Sequence, residues 1–297
     1  MPQEEEDAEE GAPGTGQHPE KLPLDASQQR LKAFVDKNTK RAVDAHAAED
    51  DETYEALLEE AVSKNSILAG LGPPGSGKTY VVHQCIRQWE CRGARILFAV
   101  PTGQLASEMR AKHPTIDVDT CHGAFLFHKE LTQALPVLSA YDLVVVDEVS
   151  MLTAEHFDRL YAMWVAADRL PCVVFLGDFW QLPGPQKPPS KVTDSQAWKD
   201  VKEIQFNGTH RCDCPRLAKK LGALRTSIPS KKLLKKIADR NHRAWDGEEP
   251  GAWDILQILR KTNYETTFVT ISRGAADHVN KLTAQVLFAD RHQKPLA

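Results

Sequence analysis

Long apolar runs are missing from this 297-residue chain. None approaches the roughly eighteen residues that a membrane-spanning helix needs, so no membrane partner is expected. Cysteine is sparse: Cys85, Cys91, Cys121, Cys172, Cys212 and Cys214 form no paired two-residue spacings of the kind that build zinc sites. Scattered thiols point to a reducing compartment. Cys172 lies in an apolar run and is expected to be buried, and Cys212-Asp213-Cys214 reads as packing rather than as a redox pair. The acidic start lacks arginine and resembles neither a secretory nor a mitochondrial leader.

The net charge of −4 conceals an asymmetry, because residues 1–60 hold 6 basic and 17 acidic side chains of the 37 and 41 in the chain. The remainder is therefore mildly basic. That balance suits a polyanionic ligand and equally suits an ordinary solvated surface. Residues 1–26 combine glutamates with Gly and Pro and are expected to form a disordered acidic tail, having too little apolar surface to offset the entropy of ordering. Residues 27–64 show helical spacings, as in Leu31, Phe34 and Val35 and again in Tyr54, Leu57, Leu58 and Val62, and read as accessory helices.

Beyond them, short apolar runs alternate with helical periodicity in the manner of an α/β protein with a parallel sheet covered on both faces. Strands are predicted at 67–71, 96–100, 143–146 and 173–176, and helices from 78 to about 89 and near 104–112, 131–138 and 154–167. Continuous apolar runs of this length suit strands buried on both sides.

The first strand runs into Gly72-Pro73-Pro74-Gly75-Ser76-Gly77-Lys78-Thr79, a phosphate-binding loop that opens a helix. Its glycines let successive backbone N–H groups turn inward on a polyphosphate, and the helix N-terminus adds favourable potential. Lys78 is expected on the β- and γ-phosphates of ATP and the Thr79 hydroxyl on Mg²⁺. A plain glycine-rich turn would have no need of Lys-Thr at its end. Asp147-Glu148 follows the third predicted strand directly; the aspartate suits the Mg²⁺ shell and the glutamate the polarisation of an attacking water. Gly177-Asp178-Phe179-Trp180-Gln181-Leu182-Pro183 follows the fourth, where the Gln181 amide can sense a γ-phosphate. Core packing is the expected use of the Phe179 and Trp180 rings. Ligands of open parallel sheets bind beyond the carboxyl ends of the strands, so these endings are expected to meet in one crevice.

With these stretches in place, the chain resembles superfamily 1B DNA helicases of the petite-integration-frequency family, relatives of the RecD group. The resemblance rests on the phosphate loop, Val100-Pro101-Thr102-Gly103, Thr120-Cys121-His122-Gly123, Val146-Asp147-Glu148-Val149-Ser150-Met151-Leu152 and the Gly177 to Pro183 motif in order, followed by His210-Arg211 and residues 268–280. It implies a first RecA-like ATPase domain over 65–203 and the opening of a second RecA-like domain over 204–297. It also implies single-stranded DNA gripped at Pro101, Thr102, Gly103, Thr120 and His122, and Arg211 on the γ-phosphate. ATP-dependent translocation, duplex unwinding and genome maintenance in a nucleus follow from the same resemblance.

Three departures stand against it. The family carries an adenine-recognising glutamine upstream of the phosphate loop; Tyr54 to Leu58 contains none, and Gln28 and Gln29 read as too distant. Phe268-Val269-Thr270-Ile271-Ser272-Arg273 matches the expected second-domain strand and turn only loosely, and Ala297 precedes the family's late motifs. Competing readings are a non-catalytic nucleotide- or DNA-binding fragment and a phosphate-loop ATPase of another class. Lys231-Lys232-Leu233-Leu234-Lys235-Lys236-Ile237 reads as a helix with a solvated lysine face, and His128, His156 and His242 as ordinary histidines.

Overall fold

The computed structural model of the chain describes residues 23–64, 66–168, 170–181, 190–208, 210, 214–226, 230–232, 234, 251–270 and 272–292. The chain divides into two compact units, Met1–Thr226 and Ser227–Ala297. The first is built on a six-stranded sheet, all of whose pairings are parallel. In chain order the strands are β1 (Ile67–Leu71), β2 (Ile96–Val100), β3 (Asp117–Thr120), β4 (Leu143–Val146), β5 (Cys172–Gly177) and β6 (Lys202–Gln205). Across the sheet the order is β3-β2-β4-β5-β1-β6. The helices are α1 (Ala26–Ala47), α2 (Asp51–Lys64), α3 (Lys78–Glu90), α4 (Gly103–Lys112), the short α5 (Cys121–Ala124) and α6 (Leu131–Ala134), α7 (Ala154–Val165) and α8 (Pro215–Thr226).

Side chains alternate between the faces of a strand with a period of two, and here both faces are covered. Ile67, Ala69, Leu97, Ala99, Val144, Val146, Val173 and Phe175 enter one core with Phe157, Leu160 and Met163 of α7 and Ala61 of α2. Leu68, Ile96, Phe98, Leu143, Val145, Val174 and Leu176 enter the other, with Leu31 and Val35 of α1 and Val81, Val82, Cys85, Ile86 and Trp89 of α3. The four central strands are thus the four apolar runs predicted from sequence.

The two outer strands escaped that reading. In β3 only Val118 is buried and in β6 only Ile204, so neither presents a run of apolar residues. A strand paired on one side and polar along its length carries little periodic signal. Strand β6 also crosses the boundary expected after residue 203: it pairs with β1 in register Ala69↔Glu203 and Gly70↔Ile204, and the compact unit continues through α8.

Helix α1 is integral to this unit rather than accessory, since Leu31 and Val35 are closed off in the core between sheet and α3. Its start falls inside the segment expected to be tail. Asp25 accepts hydrogen bonds from the backbone N–H groups of Ser27 and Gln28, and the Gln28 side chain accepts one back from the Asp25 N–H at 2.9 Å. Such reciprocal capping satisfies donors that a helix end otherwise leaves unpaired, at about 1 kcal/mol per cap. The rest of the expected tail, residues 1–22, lies outside the described residues.

In the second unit, α9 (Ala252–Lys261) and α10 (Arg273–His292) pack together, with Ile255 and Leu259 buried. No strand is found among its described residues. The predicted strand at 268–273 is irregular over 268–270 and helical from Arg273; Val269 is 92% exposed, so no strand or apolar layer among the described residues covers it.

One histidine pair makes the first unit acid-sensitive. His83 of α3 stacks on Phe98, and its Nδ1 lies 2.7 Å from Nε2 of His113. Burial first, then His113 and the cations Lys112 and Arg87, push the His83 imidazole down to about 4. The unfolded chain therefore binds this proton before the folded one does, and stability is lost as pH falls from about 6.5 towards 4. A melting temperature that declines across that window, with a shallower decline in His83→Asn, is the expected result in a pH series of thermal melts.

Candidate nucleotide site at the carboxyl edge of the sheet

The phosphate loop leaves β1 at the carboxyl edge and is compressed against its surroundings. The Gly72 N–H donates to Gly177 O at 3.1 Å, which ties the loop to the end of β5. A Cβ on Gly72 would meet the Phe206 backbone carbonyl and sit 2.7 Å from the Phe206 Cβ. Gly77 combines a left-handed φ of 83° with similar crowding, since an added Cβ would collide with the Gln28 side-chain amide. Substitution there is strained for both reasons.

Lys78 opens α3 and turns back over the loop. Its ammonium donates to Gly72 O at 2.7 Å, Pro73 O at 3.0 Å and Ser76 Oγ at 3.2 Å. Burial lowers its pKa, while Asp178, Asp147 and Glu148 oppose that shift. Lys78 therefore lies in the field of three carboxylates. All three follow strands on the same side of the sheet order as seen from β1: Asp147 and Glu148 come directly after β4, and Asp178 directly after β5.

Asp147 holds its place through its own N–H, which donates to Ala99 O at 2.9 Å, and its Oδ2 lies 3.5 Å from the Thr79 hydroxyl. Burial, then the neighbouring Glu148, push its carboxyl up to about 6. Glu148 has left-handed backbone angles, φ 54° and ψ 47°, which a residue with a Cβ rarely adopts. Backbone strain of this kind persists only where the surroundings enforce it, and it turns the chain sharply between the two acids. Burial raises the Glu148 pKa as well, Lys78 lowers it and Asp178 raises it.

Gln181 lies on the turn after β5, with its amide nitrogen 3.4 Å from Asp178 Oδ2. The two aromatic rings beside it part company. Phe179 packs edge-on against Trp198 as expected, whereas Trp180 is 69% exposed and lies outside the core. Leu182, Pro183 and Arg211 are outside the described residues.

The residues assigned to DNA stand on the other half of the same edge. Val100 and Thr120 are directly paired in the β2–β3 register, which brings Pro101, Thr102 and Gly103 alongside Thr120 and His122. Thr102 caps α4 by accepting from the Leu105 N–H, and Thr120 caps α5 by accepting from the Gly123 N–H. His122 meets Phe127 and His156 edge-on, with ring centroids 5.5 and 5.1 Å away. His156 is therefore part of an aromatic cluster with Phe127, which stacks on it at 4.4 Å.

Sequence reasoning set Gln28 aside as too distant. Its side chain reaches the phosphate loop at Gly77, and the loop is also tied to His210, whose N–H donates to Gly75 O at 2.6 Å. His210 Nε2 lies 3.4 Å from Asp25 Oδ2, so the start of α1, the loop and the segment after β6 meet at one place.

Comparison with known proteins finds related sequences and folds. A model of an AAA domain family matches residues 54–186. The ATP-dependent DNA helicase PIF1 of Trypanosoma brucei brucei is 27% identical over 152 residues, covering 48% of this chain and 15% of that protein. The crystal structure of the Pif1 helicase from Candida albicans shares the fold with a TM-score of 0.52 at 16% identity, covering 83% of this chain and 56% of that one. Bacteroides Pif1 bound to single-stranded DNA gives a TM-score of 0.51 at 16% identity, covering 81% and 56%. The chain shares its fold with these two helicase structures. It spans 15% of the curated relative and 56% of each of those two solved chains.

Gln28 thus stands beside the phosphate loop although the Tyr54 to Leu58 stretch holds no glutamine. The separation in sequence misled, because α1 and all of α2 intervene before β1 and α1 nevertheless returns its first turn to the loop. The capping pattern Asp25-Ala26-Ser27-Gln28 ahead of the apolar pair Leu31 and Val35 was the available signal.

Proposed function

We propose that the chain binds and hydrolyses ATP with Mg²⁺ and couples turnover to movement on single-stranded DNA, the chemistry of an ATP-dependent DNA helicase. The observation that carries this reading is the convergence of Lys78, Thr79, Asp147, Glu148 and Gln181 beyond three adjacent strands, β4, β5 and β1. A hydroxyl and a carboxylate 3.5 Å apart are hard oxygen donors of the kind Mg²⁺ prefers.

Each residue has a role in that reading. Thr79 and Asp147 would hold Mg²⁺, which would neutralise charge on the phosphates. Lys78 moves its ammonium from the loop carbonyls to the β- and γ-phosphates. Glu148 accepts the proton of the attacking water. Gln181 exchanges Asp178 for the γ-phosphate, and Arg211, next in the chain to His210, adds positive charge there. Gln28 reads the adenine edge from beside Gly77, so Gln28→Ala is expected to narrow the preference for ATP over GTP in competition with a fluorescent nucleotide. An unchanged preference would remove Gln28 from base recognition.

On the DNA side, the backbone N–H groups at the starts of α4 and α5, with Thr102, Thr120 and His122, contact phosphates without reading sequence. The exposed Trp180 ring is available for stacking on a base, worth about 1–3 kcal/mol. Single strands are therefore expected to bind better than blunt duplex, with affinity falling as salt rises. Fluorescence anisotropy with labelled oligonucleotides over a salt series tests this. Preference for blunt duplex, or indifference to salt, would remove DNA from the proposal. The family resemblance extends the proposal to genome maintenance in a nucleus.

A further inference from the structure

Arg225, a residue the sequence did not single out, reaches the turn that carries Gln181. It sits in the last turn of α8, where the first compact unit ends, and its guanidinium grips Asp178 with two nitrogens, Nη2 lying 2.8 Å from Oδ1 and Nη1 meeting Oδ2. The Asp178 side chain is 2% exposed and that of Arg225 26%. The same carboxylate accepts the Trp180 N–H at 3.1 Å and faces the Gln181 amide at 3.4 Å. Three donor groups thus share one buried acid.

The consequences follow from how many bonds a carboxylate can accept. Two oxygens offer about four lone-pair positions. With the guanidinium fork and the Trp180 N–H in place, Gln181 is left a long contact that it gives up easily. Without the fork, a buried carboxylate lacking its cation is costly, and the Gln181 amide is the donor at hand to compensate it. Burial works to raise the Asp178 pKa, yet Arg225 and the N–H donors bring it below the ordinary carboxylate value. Arg225 also lies within electrostatic reach of Lys78.

We propose that Arg225 is a positioning residue for Gln181: its bidentate hold on Asp178 releases the Gln181 amide for a γ-phosphate and ties α8 to the nucleotide state of the 177–181 turn. This rests on the nucleotide reading of the site. Arg225→Lys keeps the charge but loses the planar fork, and therefore separates position from charge. Asp178→Asn keeps an acceptor of the same shape without the charge.

Hydrogen exchange of the full chain with Mg²⁺ alone, with ADP, and with ADP and aluminium fluoride tests the proposal, alongside steady-state turnover. In the wild type, residues 72–79 gain protection with either nucleotide state, whereas 177–181 and 219–226 respond only when the γ-phosphate mimic is present. In Arg225→Lys and Asp178→Asn, protection at 72–79 persists and the response at 219–226 is lost. The kcat of Arg225→Lys falls about tenfold at unchanged KM, the size of one displaced hydrogen bond to a charged group. Arg225→Lys placed on Gln181→Ala slows turnover no further, as expected for residues acting as one unit. A response at 219–226 that survives in both variants, or a double variant slower by the product of the two single effects, would overturn the proposal. Protection at 72–79 without any response at 219–226 in the wild type would overturn it alone, and absence of protection at 72–79 would overturn the nucleotide reading with it.

Discussion

Lys78→Ala is expected to cut ATP turnover by about 10²–10³-fold, the loss typical of removing one preorganised donor from a developing charge. The geometry adds a second reason. Lys78 lies in the field of Asp147, Glu148 and Asp178, and it lowers the pKa of both Asp147 and Glu148. Its loss lets the Asp147 carboxyl climb above its already raised value of about 6, so metal binding weakens at neutral pH as well. The fold has little to lose, because burial already disfavours the charged lysine. A folded Lys78→Ala protein with a near wild-type melting temperature and background turnover is the expected combination in a coupled phosphate-release assay. Wild-type turnover in that variant would displace the site from the phosphate loop.

Glu148→Gln is expected to lower kcat by about 10²–10⁴-fold while nucleotide affinity is kept, the effect of removing a general base. The amide fits the same space and leaves the strained backbone at φ 54° unchanged. Glu148 also raises the Asp147 pKa, so replacing it by a neutral group returns Asp147 towards the ionised form. Affinity for ATP with Mg²⁺ therefore holds or tightens, and the variant accumulates in the ATP-bound state. Equilibrium binding of a fluorescent ATP analogue together with single-turnover hydrolysis separates the two quantities. An affinity loss as large as the rate loss would assign Glu148 to binding.

Legibility from sequence followed burial. Strands closed in on both faces, such as the 96–100 and 143–146 segments, announce themselves as continuous apolar runs, and the polar residues directly after them mark the carboxyl edge. The outer strands Asp117–Thr120 and Lys202–Gln205 have one buried side chain each and gave no such signal. Gln28 was misjudged because contact was inferred from separation in the chain, whereas α1 folds its first turn back onto Gly77. Arg225 was invisible for a different reason: its importance lies in a partner 47 residues away, and a lone arginine near a helix end carries no pattern. Trp180 shows the limit of composition-based burial, since Phe179 and Trp180 are adjacent and only the first packs against Trp198.

The central claim is that one carboxyl edge holds an ATP site on β4, β5 and β1 and a DNA-gripping site on β2 and β3. Titration of steady-state ATP hydrolysis by the full chain with a single-stranded oligonucleotide tests it most directly. The account requires hydrolysis that rises to a plateau with added DNA, disappears in Lys78→Ala, and loses its DNA response in a Thr102→Ala and His122→Ala double variant. Hydrolysis indifferent to DNA at every concentration, with Lys78→Ala as active as the wild type, would contradict it.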